Sequence, residues 1–475
     1  MDRDARELAR LGYAQELLRR LGGFSSFAIG FSVISVLTGV TSTFGDALGA
    51  GGPAGLALGW PLVSVGTLLV ALAMAELASA FPTAGALYHW AALLGGSRWG
   101  WATAMLNLAG QVAIVAAIDL ACAQALAQVL HVSDRGAYAL FAAVLVAHGA
   151  LNATSVRLVA WLNDASATVH LVGVVALAGM LLVWGRAHGA GWLLETGHGT
   201  RAAGGYAIGF VQSLVLGVWT FTGFDAAAHV SEETQDPRRR APMGIVSSVG
   251  VSAVAGYALV AALVLAVRDL GATAGAPDAA LVVLGGALGA RAGRFALGLA
   301  VLAMWFAGLS SVTSASRMLF AFARDGGLPG AALLRRVDDR TRTPVNATAA
   351  VVLAAMALVG TVARASATVF LAVAALATVA LYASYALPIA LGAAARVRGR
   401  WTRPGPWSLG RLGVPLACAA VAWTAGVFVV CALANPLSVG LFAGLLVALA
   451  ALWALVVRRR FMGPKVDLAH FQQAE

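Results

Sequence analysis

The chain has 475 residues, of which 60% are hydrophobic and only 11% are charged, whereas soluble domains carry about 25% charged residues. This composition excludes a soluble globular protein and predicts a protein that crosses a lipid bilayer many times. The formal net charge of +11 does not indicate nucleic-acid binding, because the basic residues form short clusters between apolar runs, as in the loops on one side of a membrane protein.

The apolar runs predict helices, because about 20 apolar residues span a bilayer in helical form. Strands of a membrane β-barrel would alternate apolar and polar residues, and these runs do not. The sequence therefore predicts an all-α polytopic membrane protein with twelve spans, at residues 24–48, 59–80, 100–128, 137–153, 161–185, 206–230, 242–267, 294–323, 345–363, 366–392, 412–433 and 437–457.

The distribution of arginine and lysine predicts the orientation of these spans. With the N-terminus in the cytoplasm, most of the 32 basic residues fall in inner segments, as the positive-inside rule requires. We therefore expect a multi-pass protein of the cell membrane with both termini in the cytoplasm. Its predicted segments are an N-terminal segment (1–23), spans 1–5 with an outer loop (24–204), spans 6–10 with an inner loop (205–411), spans 11–12 (412–457) and a cytoplasmic tail (458–475).

Two spans carry interruptions at corresponding positions. In span 1, residues 35–42 are rich in hydroxyl groups and contain Gly39. In span 6, the glycine-containing stretch 221–224 interrupts the apolar pattern and is followed by Asp225. Serine and threonine can bind the freed backbone groups of a broken membrane helix, and paired breaks in two halves of a chain indicate a transporter binding site. The alternatives are a helix-packing face in span 1 and a continuous, kinked helix in span 6.

Other polar side chains within the spans are candidates for binding a substrate or a coupling ion. Gln111 in span 3 faces a cavity or hydrogen-bonds to a neighbouring helix. His170 in span 5 is the residue type that titrates nearest neutral pH, although a packing role is equally open. The serines Ser310, Ser311 and Ser314 in span 8 line an ion or proton site, or serve close helix packing.

The sequence contains no pattern that indicates catalysis. It has no HExxH motif, no cluster of histidine and cysteine ligands and no nucleophile elbow, so we expect no cofactor, no bound metal and no enzymatic activity. Its three cysteines all fall within predicted spans, so no disulfide framework is expected. A membrane sensor that binds a ligand without moving it is a remote alternative to a transporter.

Several longer stretches resemble one known family. They are LGYAQELLRR before span 1, SVISVLTG within it, ALAMAELASAFPTAGALYHWAA after span 2, RLVAWLNDASATVHLVGV in span 5, FTGFDAAAHVSEET in span 6 and GLSSVTSASRMLFAFARDGGLP in span 8. In this order they resemble the amino acid–polyamine–organocation superfamily, and within it the amino acid/choline transporter family, which includes GABA and choline permeases.

The resemblance implies the leucine-transporter fold, in which spans 1–5 and 6–10 form inverted repeats and spans 11 and 12 are appended. It assigns the two breaks to residues 35–40 and 221–224. The half-helix after Gly39 would bind a substrate carboxylate with its free N–H groups, and freed carbonyls beside Asp225 would bind an ammonium. His170 would face the hydroxyl cluster of span 8 and replace a coupling cation by binding a proton.

The sequence therefore predicts a secondary active transporter, embedded in the lipid bilayer, that moves an amino acid or related amine by alternating access with a proton as coupling ion. A sodium-coupled or exchange-mode transporter of choline, polyamine or GABA is the alternative, and the oligomeric state is left open. The predicted substrate-binding residues are Ser35, Thr38, Gly39, Val40, Gln111, Phe221, Thr222, Gly223 and Asp225. The predicted proton-coupling residues are His170, Asp225, Ser310, Ser311 and Ser314.

Overall fold

A computed structural model describes residues 3–10, 12–196, 204–276, 278–364, 368–464 and 468. The first two residues of predicted span 10 and most of the predicted tail lie outside the described residues. The helices are α1 (Arg3–Arg10), α2 (Gly23–Ile34), α3 (Val36–Ala80), α4 (Leu87–Gly95), α5 (Ser97–Leu130), α6 (Asp134–Thr154), α7 (Val156–Met180), α8 (Tyr206–Ser213), α9 (Val215–Thr220), α10 (Ala226–His229), α11 (Pro237–Ala266), α12 (Leu270–Gly275), α13 (Ala279–Leu288), α14 (Ala290–Arg324), α15 (Ala331–Leu334), α16 (Val345–Val362), α17 (Val369–Val397), α18 (Gly413–Ala434) and α19 (Leu437–Leu452).

Ten helical segments among the described residues are long and apolar enough to cross a membrane. They confirm the predicted all-α, multi-pass membrane protein, and their number differs from the predicted twelve for two local reasons. Predicted spans 1 and 2 form one helical run, and predicted span 6 is divided into pieces too short to qualify.

The run from Gly23 to Ala80 is interrupted twice. At Ser35 the backbone has φ 37° and ψ 79°, a left-handed conformation that costs an L-residue about 1–2 kcal/mol. At Gly52 the backbone has φ 61° and ψ −164°, so α3 consists of two helices on either side of this residue. Continuous helix over the 45 residues of α3 would be roughly 68 Å long, about twice the apolar thickness of a bilayer, which is roughly 30 Å.

Predicted span 6 consists of α8, α9 and the four-residue helix α10. A non-helical turn separates α9 from α10, and within it Gly223 has φ 97°, which glycine adopts without steric cost. A 3₁₀ turn, Ser231–Glu233, then leads towards α11. The interruption predicted at residues 221–224 is therefore a real break in this helix.

The broken helices lie inside the bundle, and the last helix lies at its edge. Helix α11 packs against both α2 and α3, while α5 packs against α14 and α17. In the most apolar stretch of the segment Leu437–Val457, only 6% of residues are buried. The fold therefore encloses the two breaks and leaves the last helix exposed on the outside of the bundle.

Candidate functional site

The two helix breaks lie against each other. A Cβ atom added to Gly39 would lie 1.9 Å from Oγ1 of Thr220, and one added to Gly223 would lie 2.4 Å from Cγ1 of Val33. Real Cβ contacts are much longer, so each glycine is in direct contact with the other broken span. The fold thus brings together two interruptions that are far apart in the sequence.

The break in the first span lies at Ser35, and the expectation that the second half-helix begins after Gly39 was wrong. Helix α3 begins at Val36, and Gly39 lies one turn inside it. The Ser35 hydroxyl caps this helix by accepting a hydrogen bond from the Thr38 amide at 3.3 Å, and it lies 2.5 Å from the Thr38 hydroxyl. The amides of the first helical turn lack partners within the helix and carry a partial positive charge. The cluster therefore suits an anionic group.

Val40, the last residue predicted for this half of the site, is buried within the first two turns of α3. Its apolar side chain belongs to the central hydrophobic core. It therefore provides packing beside the polar break, while the Ser35 and Thr38 hydroxyls provide the hydrogen-bonding groups.

His170 on α7 is bonded directly to the break. Its Nε2 lies 2.7 Å from the Ser35 Oγ, and its Nδ1 lies 2.8 Å from the Ser166 carbonyl oxygen. Since a carbonyl only accepts, Nδ1 carries a hydrogen and donates it. In the neutral ring, Nε2 therefore accepts from the Ser35 hydroxyl, and in the protonated ring it donates to that hydroxyl. The protonation state of His170 thus determines the direction of a hydrogen bond at the break.

The expected contact between His170 and the serines of span 8 is not among the hydrogen bonds of the described residues. Asn163, two turns earlier on α7, instead accepts a hydrogen bond from Ser310. Ser311 bonds to the Ala307 carbonyl of its own helix at 2.8 Å. The Ser314 hydroxyl has no partner within the described part of the chain. Asn163 and His170 share a face of α7, because residues two turns apart on a helix lie one above the other. The sequence alone therefore could not show which of the two contacts the serines of span 8.

Asp225 connects three parts of the bundle. Its fully buried carboxylate accepts hydrogen bonds from Asn107 at 2.9 Å, Gln111 at 3.1 Å and Tyr385 at 2.8 Å. His229, one turn further along, lies 3.1 Å from the same carboxylate. Donors from α5, α10 and α17 therefore meet at this side chain, and such charge-assisted hydrogen bonds are about twice as strong as neutral ones.

Of the donors to Asp225, only Gln111 is in the predicted substrate-binding set. Asn107, His229 and Tyr385 were not selected, because nothing in a single sequence indicates which polar residues on different helices converge. Four donors already occupy the carboxylate, so it is less open to a substrate ammonium than the sequence implied. Its charge instead organises the contact between α5, the break in span 6 and α17.

The turn after α9 has backbone acceptors without backbone partners. Among the described residues, no backbone N–H donates to the carbonyls of Thr220 or Phe221. The Thr222 hydroxyl bonds to the Val218 carbonyl at 2.8 Å and lies 3.5 Å from the Thr378 hydroxyl. Oxygen atoms at the C-terminal end of a half-helix carry partial negative charge. They therefore offer a site for a cation beside the anion-binding end of α3.

A cavity of about 210 Å³ reaches this region from one side of the bundle. It is lined by Trp219 and Thr378 at its inner end and by the acidic residue Asp46 on α3, among others. A second cavity of about 150 Å³ includes Thr41 and Ser42. Sequence reasoning missed Asp46, because its helical position does not show that it lines a cavity.

The opposite side of the bundle is held together by buried ion pairs. Arg324 donates two hydrogen bonds to the Glu232 carboxylate, at 2.7 and 3.0 Å. The neighbouring Asp325 accepts from Tyr13 at 2.7 Å and lies 2.9 Å from Nε2 of His89. We call these five residues the closing network. They connect the N-terminal segment, the start of α4, the turn after α10 and the end of α14.

The surroundings of Asp325 favour its charged form. Burial alone would raise its pKa, but the hydrogen bonds from His89 and Tyr13 and the charge of Arg324 hold the pKa below its usual value. For Glu232, burial is likewise outweighed by Arg324 and by the amide of Ala84, so its pKa is also lowered. Both carboxylates are therefore ionised and paired near neutral pH.

The chain shares its sequence with known permeases over nearly its whole length. A family model described as amino acid permease matches residues 21–456. The chain belongs to the amino acid permease family. The amino-acid permease BAT1 of Arabidopsis thaliana is 34% identical over 98% of this chain and 96% of its own length, and its rice homologue is 33% identical over 97% and 95%. The GABA-specific permease of Saccharomyces cerevisiae is 28% identical over 90% of this chain and 76% of its own.

These relatives confirm the resemblance to the amino acid–polyamine–organocation superfamily. This permease is a multi-pass membrane transporter for amino acids and not an enzyme. The predicted small-molecule substrate is correspondingly an amino acid.

Proposed function

We propose that this permease moves its substrate by alternating access, as a secondary active transporter of the cell membrane with twelve crossings and both termini in the cytoplasm. The contact between the two broken helices carries this proposal, since interrupted helices meeting inside a bundle form the binding sites of such transporters. The break at Gly52 and the pieces of span 6 are consistent with two further crossings beside the ten long helical segments.

The substrate is an amino acid bound between the two breaks. Its carboxylate takes the N-terminal end of α3 with the Ser35 and Thr38 hydroxyls, and its ammonium takes the free carbonyls of Thr220 and Phe221. These poles have the charge signs that a zwitterion requires. Asp225 supports this arrangement through its donors on α5 and α17. An ω-amino acid such as GABA is the second candidate, since one relative is named a GABA-specific permease.

A proton is the coupling ion in this proposal, and His170 binds it. Protonation makes Nε2 a donor, so the Ser35 hydroxyl can no longer donate to it. The hydroxyl hydrogen is then free to bond to Thr38 or to a substrate carboxylate. Proton binding and carboxylate binding thus favour each other through one serine, and such a coupling is reciprocal.

The direction of access follows from the two ends of the bundle. The cavity beside Trp219 supports access from the outside, while the closing network seals the cytoplasmic end. The network must separate before substrate is released inward. This described conformation therefore corresponds to a state closed towards the cytoplasm.

Uptake into proteoliposomes tests the function and its coupling separately. We expect labelled amino acid to accumulate when the interior is made alkaline relative to the exterior, and to exchange in counterflow without any gradient. Accumulation that follows an imposed sodium gradient and ignores the pH gradient would contradict proton coupling and favour sodium. If no amino acid in a full panel showed either accumulation or counterflow, the proposed transport activity would be contradicted.

A further inference from the structure

A groove on the lipid-facing side of the bundle is not part of the transport site. It has a volume of about 390 Å³ and lies between α5 and the segment Leu437–Val457. Apolar side chains, including Trp101, Leu106 and Leu449, form its walls, and Arg98 is the charged residue in its lining. The helical segment on one side of the groove is the peripheral one, so the groove is in a position to receive a lipid chain.

The wall formed by the last helix is locally irregular. After α19 the chain forms a turn of π-helix, Trp453–Val457, and the ring of Trp453 lies 5.3 Å from that of Trp101. Single π-helical turns occur frequently at functional sites. The Trp101 N–H already donates to the Gly327 carbonyl at 3.1 Å, so its hydrogen-bonding group is occupied by the protein.

One end of the groove carries a cluster of positive charge. Arg98 is exposed there, and the exposed residues Arg458, Arg459 and Arg460 follow directly after the π-helical turn.

The segment after these arginines contacts the start of α5. A Cβ at Gly463 would lie 3.1 Å from the Cβ of Ser97, so the segment that follows Arg460 passes close to the residue before Arg98. None of the four arginines forms an ion pair with a described residue.

We propose that this groove binds one anionic phospholipid. An acyl chain occupies the apolar groove, and the phosphate lies among the arginines. Basic pockets between membrane helices bind anionic lipid headgroups, and each nearby basic residue strengthens the attraction. A zwitterionic lipid would fill the apolar part equally well but would gain less from the arginine cluster. The discrimination therefore depends on the headgroup charge.

Lipid binding to the purified, delipidated permease tests this proposal. Native mass spectrometry and thermal unfolding would compare added phosphatidylglycerol with phosphatidylcholine of the same acyl chains. We expect one phosphatidylglycerol to be retained in preference to phosphatidylcholine and to raise the unfolding temperature more. Equal retention and equal stabilisation by the two lipids would overturn the proposal.

Two kinds of variant locate the site. The substitutions Arg98→Gln and Arg459→Gln each remove one positive charge that would face the headgroup, and we expect phosphatidylglycerol binding to weaken about fivefold for each arginine lost. Ala450→Trp fills the groove from α19 and should reduce retention of both lipids while leaving the arginines in place. The matched control, Arg335→Gln with Arg336→Gln, removes two exposed arginines from a different loop and should bind like the unmodified protein. Unchanged lipid binding in the arginine variants and in Ala450→Trp, or an equal loss of binding in the control, would contradict the assignment of the lipid to this groove.

Discussion

The Ser35 hydroxyl and the His170 imidazole are joined by a contact of 2.7 Å at the point where the first membrane helix breaks. This contact links a titratable ring to the cap of a half-helix whose first amides are free to bind an anion. We predict that His170→Gln abolishes accumulation driven by a pH gradient but retains counterflow exchange. His131→Asn, at an exposed helix end, is the control and should keep both. If His170→Gln still accumulated substrate in response to a pH gradient, His170 would not be the coupling residue.

Gly39 is predicted to be intolerant of any side chain, because Thr220 occupies the adjacent space. We expect Gly39→Ala to separate the two half-helices, to lower the stability of the permease by about 1–3 kcal/mol and to reduce uptake. Thermal unfolding and uptake would be measured in parallel. Gly250→Ala is the matched control, since a Cβ there meets no atom within 4 Å. A Gly39→Ala permease as stable and active as that control would show that the breaks do not meet as described.

Asp225 is predicted to require its charge and not only its shape. Asp225→Asn retains the size of the side chain but removes its negative charge and replaces one of its two acceptor oxygens with an N–H donor. Asn107 and Gln111 donate to Oδ2 and Tyr385 donates to Oδ1, so the amide cannot accept all three hydrogen bonds. We expect uptake to be lost, or its pH profile to shift, while Asp339→Asn in an exposed loop has no effect. An Asp225→Asn protein with unchanged uptake at every pH would assign this residue a packing role alone.

Asp325 is predicted to stabilise the closing network in a pH-dependent way. Its pKa is lowered in the folded protein, so the ionised carboxylate contributes stability above its ordinary pKa near 4 and loses it as the pH falls through the folded value. Asp325→Asn should therefore lower the unfolding temperature at pH 7, by an amount corresponding to about 1–3 kcal/mol. This difference from the unmodified protein should shrink below about pH 4. A difference that stays constant with pH would contradict the ionised role.

A buried pair on α5 and α6 leads to a prediction for a third glycine. Asp119 and His148 are both fully buried and 3.1 Å apart, and a Cβ on Gly308 would lie 1.8 Å from the free Oδ1 of Asp119. We expect Gly308→Ala to displace α14 and to destabilise the protein, as measured by thermal unfolding. Gly298→Ala on the same helix is the control, because a Cβ there meets nothing within 4 Å. Equal unfolding temperatures for the two variants would contradict the close packing at Asp119.

The sequence predicted the architecture well because membrane helices depend on local composition. Apolar runs of sufficient length identified the crossing helices, and the glycine and hydroxyl residues identified both breaks to within a few positions. The predicted break at residues 35–40 contains the observed break at Ser35, but the second half-helix begins four residues earlier than predicted. Gly39 has the composition expected of a break, whereas Ser35 adopts the left-handed conformation despite its side chain. Position 39 requires a glycine for a different reason, because Thr220 occupies the space that a side chain would need.

The partners of the polar residues could not be predicted from the sequence. Asn107 and Tyr385 bond to the same carboxylate although 278 positions separate them in the chain. Which faces of α5 and α17 meet depends on packing over the whole bundle, and a single sequence carries no information on that pairing. The closing network was missed for the same reason, since Tyr13, Glu232 and Asp325 come from three distant segments.

The position of the bound substrate is the feature on which the proposed transport mechanism depends most directly. A structure of the permease with a transported amino acid bound would test this. We predict substrate density between the first turn of α3 and the carbonyls of Thr220 and Phe221, with the carboxylate beside Ser35. Substrate density elsewhere, with an unoccupied and unchanged contact between the two breaks, would contradict the account.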